Sequence, residues 1–158
     1  MTLNLTEYRG HPVIEDHWNL LHRHSVGLAG EALLAGIERG ELIAARCPDC
    51  DRLQLPPRSF CERCFKPTTY EPFPGRTGEL LSFTVIRRGF TDSPDAPFAI
   101  GYARLEGAAT AIGTLIGGVD LSVPSGDLPL TVGMPVELAI TDEGIGFERL
   151  RLMPSGAR

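Results

Sequence analysis

Histidine is missing from most of this sequence: the four histidines, His11, His17, His22 and His24, all precede residue 25. Most acid–base and triad schemes therefore lack their usual proton carrier in the long C-terminal part. The chain also has no G-x-S-x-G elbow, P-loop, G-x-G-x-x-G fingerprint or H-E-x-x-H helix. We accordingly assign no catalytic residue.

Positive charge and aromatic rings are scarce as well. Lys66 is the only lysine among 15 basic residues, and 20 acidic residues give a formal net charge of −5. Aromatic residues make up 7% of the chain. Because nucleic-acid grooves need positive charge and stacking rings, this composition disfavours a nucleic-acid partner.

Long apolar runs are also absent. The first residues are polar and acidic, where a signal peptide is basic and then apolar. Every apolar stretch is shorter than the roughly 20 residues that cross a bilayer. We therefore expect a cytoplasmic protein without a membrane partner, and in that reducing compartment the four cysteines favour metal or redox chemistry over disulfides.

Two C-x-x-C pairs are the strongest motif in the chain. Cys47 and Cys50 form the first pair, and Cys61 and Cys64 form the second, ten residues later. Two such knuckles present four sulfurs to one tetrahedral zinc ion, and four thiolates leave no open position for substrate. A thioredoxin-like redox pair needs a helix start within a βαβ unit, which is missing here. The motif predicts structural zinc.

Two amphipathic helices are predicted before the cysteines. Ile14, Trp18 and Leu21 stand at i, i+4 and i+7, which predicts a short helix from Pro12 onward. Trp18 and Leu21 are candidate partner-interface residues on it, with burial in a core as the alternative for Trp18. The second helix follows Gly30, has Leu33, Leu34 and Ile37 on one face, and ends at Gly40.

Beyond Gly75 the apolar spacing changes to two, which predicts strands. The five strand candidates are Glu79–Arg88, Phe98–Leu105, Thr110–Ile116, Pro135–Thr141 and Ile145–Leu152. One long connection after the third strand matches a five-stranded Greek-key barrel, the OB-fold, and an open sandwich is the rival topology. The predicted fold is mainly β, with an arm and helices over residues 1–40, a zinc ribbon over 41–75 and an OB-fold domain over 76–158.

A cluster of arginines ends the first predicted barrel strand. Arg87, Arg88 and Phe90 place two guanidinium groups beside an aromatic ring. Such a group holds a phosphate or a nucleotide face, so these residues are candidate ligand contacts. A solvated strand end is the alternative.

Several segments together resemble one known family. They are Glu38-Arg39-Gly40-Glu41-Leu42, Arg46-Cys47-Pro48-Asp49-Cys50, Leu55-Pro56-Pro57-Arg58-Ser59-Phe60-Cys61-Glu62-Arg63-Cys64, Gly75-Arg76-Thr77-Gly78-Glu79-Leu80-Leu81-Ser82-Phe83-Thr84-Val85 and Pro97-Phe98-Ala99-Ile100-Gly101-Tyr102-Ala103-Arg104-Leu105, followed by Val132-Gly133-Met134-Pro135-Val136 and Phe147-Glu148-Arg149-Leu150. From about Glu31 to Leu152 the chain resembles the DUF35 family of acyl-CoA-associated OB-fold proteins, which open with a rubredoxin-like zinc ribbon. The longer N-terminal segment and Gly101, where a larger apolar residue is expected, depart from that family.

This resemblance implies a non-catalytic role. Members are small subunits or fused domains that bind thiolase-like, hydroxymethylglutaryl-CoA-synthase-like or hydratase-type enzymes and help shape a channel for the acyl-CoA. The implied function is an accessory subunit of a hetero-oligomer in which a CoA thioester is the ligand, with Arg87, Arg88 and Phe90 as candidate CoA contacts. A zinc-ribbon/OB-fold nucleic-acid-binding protein is the alternative. A self-sufficient thioesterase or acyl transferase ranks last, because no nucleophile–base pair is evident.

Overall fold

The computed structural model describes residues 4–15, 23, 25–89 and 93–155. Its regular elements are β1 (Asn4–Tyr8), β2 (His11–Glu15), α1 (Gly27–Glu38), β3 (Leu42–Arg46), β4 (Leu53–Gln54), β5 (Thr69–Phe73), β6 (Thr77–Ile86), β7 (Phe98–Leu105), β8 (Ile112–Ile116), β9 (Pro135–Ile140) and β10 (Leu150–Pro154). Short 3₁₀ turns lie at Ser125–Asp127 and Gly146–Arg149. The protein is mainly β, as predicted.

The N-terminal segment differs from the prediction. Strands β1 and β2 pair in antiparallel fashion, with Tyr8 opposite His11. The turn residues Arg9 and Gly10 have φ angles of 52° and 78°, and tight two-residue hairpins favour such positive angles. The predicted helix from Pro12 is therefore wrong for residues 12–15, because this hairpin turn places them in strand β2. The rest of that predicted helix, with Trp18 and Leu21, lies outside the described residues.

Helix α1 is the second predicted helix, begun three residues earlier. Its end is a Schellman motif in which the Glu41 amide donates to the Gly36 carbonyl at 2.9 Å and the Gly40 amide donates to the Ile37 carbonyl at 3.0 Å. Gly40 has φ +75°, as its predicted role as the stop requires. The described residues thus contain one α-helix rather than a pair, and no helix among them is long and apolar enough to cross a membrane.

The cysteine region forms its own small sheet. Its strand order is β4-β3-β5, and both pairings are antiparallel. The central strand β3 leads directly into Cys47, and Ala44 and Ala45 on it are fully buried. This sheet carries the metal knuckles at one end and packs beneath α1.

The second half closes into a barrel with the strand order β10-β8-β7-β6-β9. Strands β8 and β10 are parallel, and the other neighbours are antiparallel. Five strands closed in this order form an OB-fold. The closed barrel is therefore confirmed over the open sandwich.

The last barrel strand starts later than the spacing predicts. Residues of the predicted strand Ile145–Leu152 form the 3₁₀ turn Gly146–Arg149 before β10 begins. Gly144 and Gly146 have φ angles of 84° and 56°, which an extended strand does not allow. Phe147 therefore lies on a turn rather than in the barrel wall.

Gly101 lies on the interior face of the barrel. Along β7, residues 99, 101, 103 and 105 are buried and their neighbours turn outward. A Cβ at Gly101 would lie 2.8 Å from the Cδ1 atoms of both Leu80 and Ile116. The departure from the expected larger residue is thus explained, because these two side chains already fill the space.

The ribbon and the barrel share one hydrophobic core. Leu42, Leu55 and Phe73 of the ribbon belong to the same buried cluster as Leu80 and Leu138 of the barrel. Burying this apolar surface is the main stabilising contribution to the junction.

A buried hydroxyl also joins the ribbon to the barrel through directional hydrogen bonds. The Thr110 Oγ1 atom accepts from the Leu55 amide at 2.8 Å and donates to the Leu55 carbonyl at 2.9 Å. Next to it, the Ala109 amide donates to the Leu53 carbonyl at 2.7 Å. One side chain of the barrel therefore satisfies both backbone groups of a fully buried ribbon residue.

We predict that Thr110→Val destabilises the metal-replete protein. Valine keeps the volume but leaves two buried backbone groups unpaired, at about 1–3 kcal/mol each. Urea unfolding should show a loss of about 2–4 kcal/mol, whereas the control Thr110→Ser, which keeps the hydroxyl, should lose about 1 kcal/mol. Equal unfolding free energies for the two variants would contradict the role assigned to the hydroxyl.

Candidate metal centre and apolar groove

The four cysteines converge as their spacing predicts. The Sγ atoms of Cys47, Cys50, Cys61 and Cys64 all lie within 4.8 Å of one another, and those of Cys50 and Cys61 are 3.6 Å apart. A tetrahedron with metal–sulfur distances of about 2.3 Å has edges of about 3.8 Å. The donor set therefore fits one tetrahedral metal ion.

Both knuckles have the same backbone geometry. The amide of the residue that follows the second cysteine donates back to the carbonyl of the first cysteine: Asp51 to Cys47 at 3.0 Å, and Phe65 to Cys61 at 2.9 Å. Asp51 and Phe65 have nearly equal φ angles of 57° and 56°. Each pair of sulfurs is thus presented by the same local turn.

The electrostatics of the cluster call for a cation. Burial raises the pKa of the Cys47 thiol, and the adjacent Cys50 sulfur raises the pKa of Cys64 to about 12. The backbone amides of Cys64 and Arg63 lower the pKa of Cys61 to about 7. Four thiols this close do not all ionise unless a positive charge lies among them. This chemistry is that of a structural metal site.

One residue of the predicted arginine cluster, Arg87, is bound within the protein. Arg87 donates to the Val123 carbonyl at 2.8 Å and also to the Leu121 carbonyl. Its guanidinium therefore holds the long connection between β8 and β9 to the end of β6. Arg88 is exposed, and Phe90 lies outside the described residues. The ligand-contact role of these three residues stays a prediction.

An apolar groove on the barrel surface was not predicted. Two hollows of about 300 and 350 Å³ adjoin along the outer face of β7 and β8 and share Gly113, Thr114 and Phe147. The first hollow lies between α1 and the barrel, and the second lies on the strands. Residues that line one hollow only are Val26, Ala29, Gly30, Leu33, Pro56, Pro57, Ile112 and Leu150 for the first, and Ile100, Leu115, Glu148 and Arg151 for the second. We call the two together the β7–β8 groove.

The groove is unusually apolar for a surface. Of its lining residues, Ile100 is 37% and Phe147 is 41% exposed, and Tyr102, which lies against Gly113 beside the groove, is 54% exposed. Ile100 and Tyr102 share a face in the sequence pattern, but spacing alone does not show whether that face is inside or outside. The alternate positions of this strand carry the small side chains of Ala99 and Ala103, which a narrow barrel interior favours. These alanines were the available sign that Ile100 and Tyr102 face outward.

Hydrogen bonds fix the shape of the groove. Gly113 allows the Tyr102 ring to lie against the strand, since a Cβ there would come within 2.7 Å of the ring. The Thr114 hydroxyl donates to the Leu150 carbonyl at 2.7 Å, and Arg151 donates to the same carbonyl at 2.9 Å. Few polar groups on the floor of the groove are therefore left to contact a ligand. Arg151 and Glu148 make one part of its lining charged.

Two solved structures share this architecture. A DUF35-family protein of unknown function from Sulfolobus solfataricus is 21% identical, with 82% of this chain and 87% of that chain covered and a TM-score of 0.60. A chain of the Ltp2-ChsH2(DUF35) aldolase is 20% identical, with 84% and 98% covered and a TM-score of 0.62. Identities this low show a common fold. No curated protein sequence matches this chain.

Family comparison divides the chain within β5, the last strand of the ribbon sheet, a few residues before the barrel begins at β6. The rubredoxin-like zinc ribbon domain of ChsH2 matches residues 34–69, from within α1 to the start of β5. The C-terminal OB-fold domain of ChsH2 matches residues 70–141, from β5 to the end of β9. These two consecutive domains occur here in the same order and together cover well over half of the sequence. The chain therefore belongs to the DUF35 family, in which a rubredoxin-like zinc ribbon precedes an OB-fold domain.

Proposed function

We propose that this protein is a non-catalytic accessory subunit of an acyl-CoA-processing enzyme of the thiolase superfamily. The β7–β8 groove is the observation that carries the proposal. A likeness to a chain of the Ltp2-ChsH2(DUF35) aldolase supports a role within a two-protein enzyme that makes or breaks carbon–carbon bonds.

The position and lining of the groove suit an acyl chain. OB-folds bind their ligands on the second and third strands, which are β7 and β8 here. Each hollow is at the lower end of the 300–1,000 Å³ typical of ligand sites, and together they form an elongated apolar channel. An aliphatic chain gains free energy by burial against Ile100, Leu115 and Phe147. Arg87, Arg88 and Phe90 remain the proposed contacts for the CoA part.

The groove holds no evident catalytic pair. Among the described residues that line it, Thr114 carries the hydroxyl and Glu148 the carboxylate. The Thr114 hydroxyl is bound to the Leu150 carbonyl, and Glu148 accepts from the Ile145 amide at 3.4 Å. The nucleophile and the base of the reaction therefore belong to the partner in this proposal.

The nucleic-acid alternative finds little support on the same face. The one arginine on β7, Arg104, is paired with Glu79 at 2.6 Å. The exposed apolar side chains on this strand are Ile100 and Tyr102, so β7 offers one exposed stacking ring and, among its described residues, no unpaired cation. A salt-dependent shift of labelled single-stranded DNA or RNA at micromolar protein would favour this alternative.

We also propose that the metal is zinc and that its role is structural. A four-sulfur shell has no open position, and the ribbon that it closes has little core of its own. Cys47 and Cys61 are almost fully buried beneath the knuckles. In this proposal the ion supplies folding free energy to residues 47–64 and does not touch substrate.

We predict that Cys61→Ser abolishes zinc retention. Loss of one thiolate opens the shell, and the ribbon then loses part of the several kcal/mol that structural zinc supplies. Elemental analysis should find about one zinc ion per wild-type chain and almost none in the variant, which should also be less soluble. Arg63→Ser is the control, because its amide, not its side chain, faces the Cys61 sulfur. A folded Cys61→Ser protein with a full zinc complement would contradict the four-cysteine site.

The subunit role predicts a stoichiometric partner. Tagged protein purified gently from its native host should elute with a thiolase-like enzyme, or another acyl-CoA enzyme, in amounts comparable to its own by mass spectrometry. Elution alone or with nucleic acid would contradict the proposed function.

The groove predicts a dependence on acyl-chain length in that complex. Ile100→Glu places a charge on the groove floor, so we expect KM for long-chain acyl-CoA substrates to rise at least about 10-fold. KM for acetyl-CoA should change little. Val132→Glu is the matched control, since Val132 is 66% exposed and lies outside the groove lining. An equal effect of both variants, or none from Ile100→Glu, would exclude acyl binding here.

A further inference from the structure

The second zinc knuckle presents two exposed aromatic rings. Phe60 precedes Cys61 and Phe65 follows Cys64, and their side chains are 60% and 80% exposed. A bridge between Phe60 and Pro67 closes residues 60–67 into one loop, so both exposed rings are carried by the same short loop. We call this loop the second knuckle. Isolated exposed apolar residues are common, but two phenylalanines on an eight-residue loop form a patch.

The conformation of Phe65 strengthens the case that the ring serves an external contact. Its φ of 56° is a left-handed geometry that glycine, asparagine and aspartate adopt most readily, and Asp51 occupies the equivalent position of the first knuckle. A large side chain there is strained. With 80% of Phe65 exposed, packing within the chain compensates little of that strain.

The side-chain charges beside these rings that form no ion pair are opposite in sign to the net charge of the whole chain. The carboxylate of Glu62 is paired with Arg52 at 2.6 Å and with Arg58 at 3.2 Å. Among the described residues no ion pair involves Arg63 or Lys66, whose charges therefore face solvent. On a protein of net charge −5, the second knuckle therefore combines two exposed rings with two positive side chains that form no ion pair among the described residues.

We propose that the second knuckle docks on the acyl-CoA enzyme, with Phe65 inserted in an apolar pocket whose rim carries carboxylates. This rests on the proposed function and names the surface by which this chain binds its partner. Aromatic residues in desolvated pockets are typical anchors of interfaces, and complementary rim charges accelerate association. Nucleic acid is the competing partner, because it also binds exposed aromatic rings and cations. The adjacent first knuckle, however, carries the carboxylates of Asp49 and Asp51, which disfavour a phosphate backbone.

Phe65→Gly separates docking from folding. Glycine adopts the same φ without strain, so zinc content should stay at the wild-type value and the melting temperature should stay within about 2 °C. The dissociation constant for the purified, identified partner enzyme should rise at least about 30-fold. Asp51→Gly makes the same backbone change on the first knuckle and should leave that constant unchanged. Wild-type association should also slow with added salt, and Lys66→Glu should remove part of this dependence.

Each result decides between the two proposals. If the enzyme binds wild type and Phe65→Gly equally well, the docking surface is wrong and the subunit role stands. If Phe65→Gly weakens binding to an identified partner that does not process acyl-CoA, the surface stands and the subunit role fails. If no protein binds wild type, or if nucleic acid binds through Phe65, both proposals are overturned.

Discussion

Closure of four cysteine sulfurs around one ion is the constraint on which the rest of the structure depends. It joins two C-x-x-C turns that are ten residues apart, and the first of these turns connects β3 to β4, which pair with each other. That pairing delivers Leu55, fully buried, to the hydroxyl of Thr110 on the barrel. A local metal site thereby fixes the orientation of one domain against the other.

The groove depends on the same arrangement, because no single element builds it. Pro56 and Pro57 come from the ribbon just after β4, Leu33 comes from α1, and Gly113 and Phe147 come from the barrel. Displacement of the ribbon would remove one wall of the first hollow. In the proposed function, a structural ion at the ribbon would therefore control the shape of the surface that we assign to the acyl chain.

Local signals made much of this structure predictable. The metal site follows from the spacing of Cys47, Cys50, Cys61 and Cys64, and the helix end follows from Gly40, because both depend on residues close together in sequence. The barrel follows from apolar residues at a period of two and one long connection. That pattern alone leaves an open sandwich as a rival topology, and the family resemblance favours the OB-fold.

Other features depend on information that periodicity does not contain. Ile14 and its neighbours match a helical spacing, but Arg9 and Gly10 form a tight turn that pairs β2 with β1. Ile100 and Tyr102 share one face of β7, yet their exposure is decided by Leu80 and Ile116, which fill the interior opposite Gly101. The groove was missed for the same reason, since it needs the outward face of β7, the turn at Phe147 and α1 together.

The most direct test of the account is the turnover of acyl-CoA substrate by three purified samples: this protein alone, its partner alone, and the two reconstituted with zinc. A non-catalytic subunit predicts no turnover by this protein alone, weak turnover by the partner, and full activity only when they are combined. Turnover by this protein alone, or a partner whose activity does not change on reconstitution, would contradict the account.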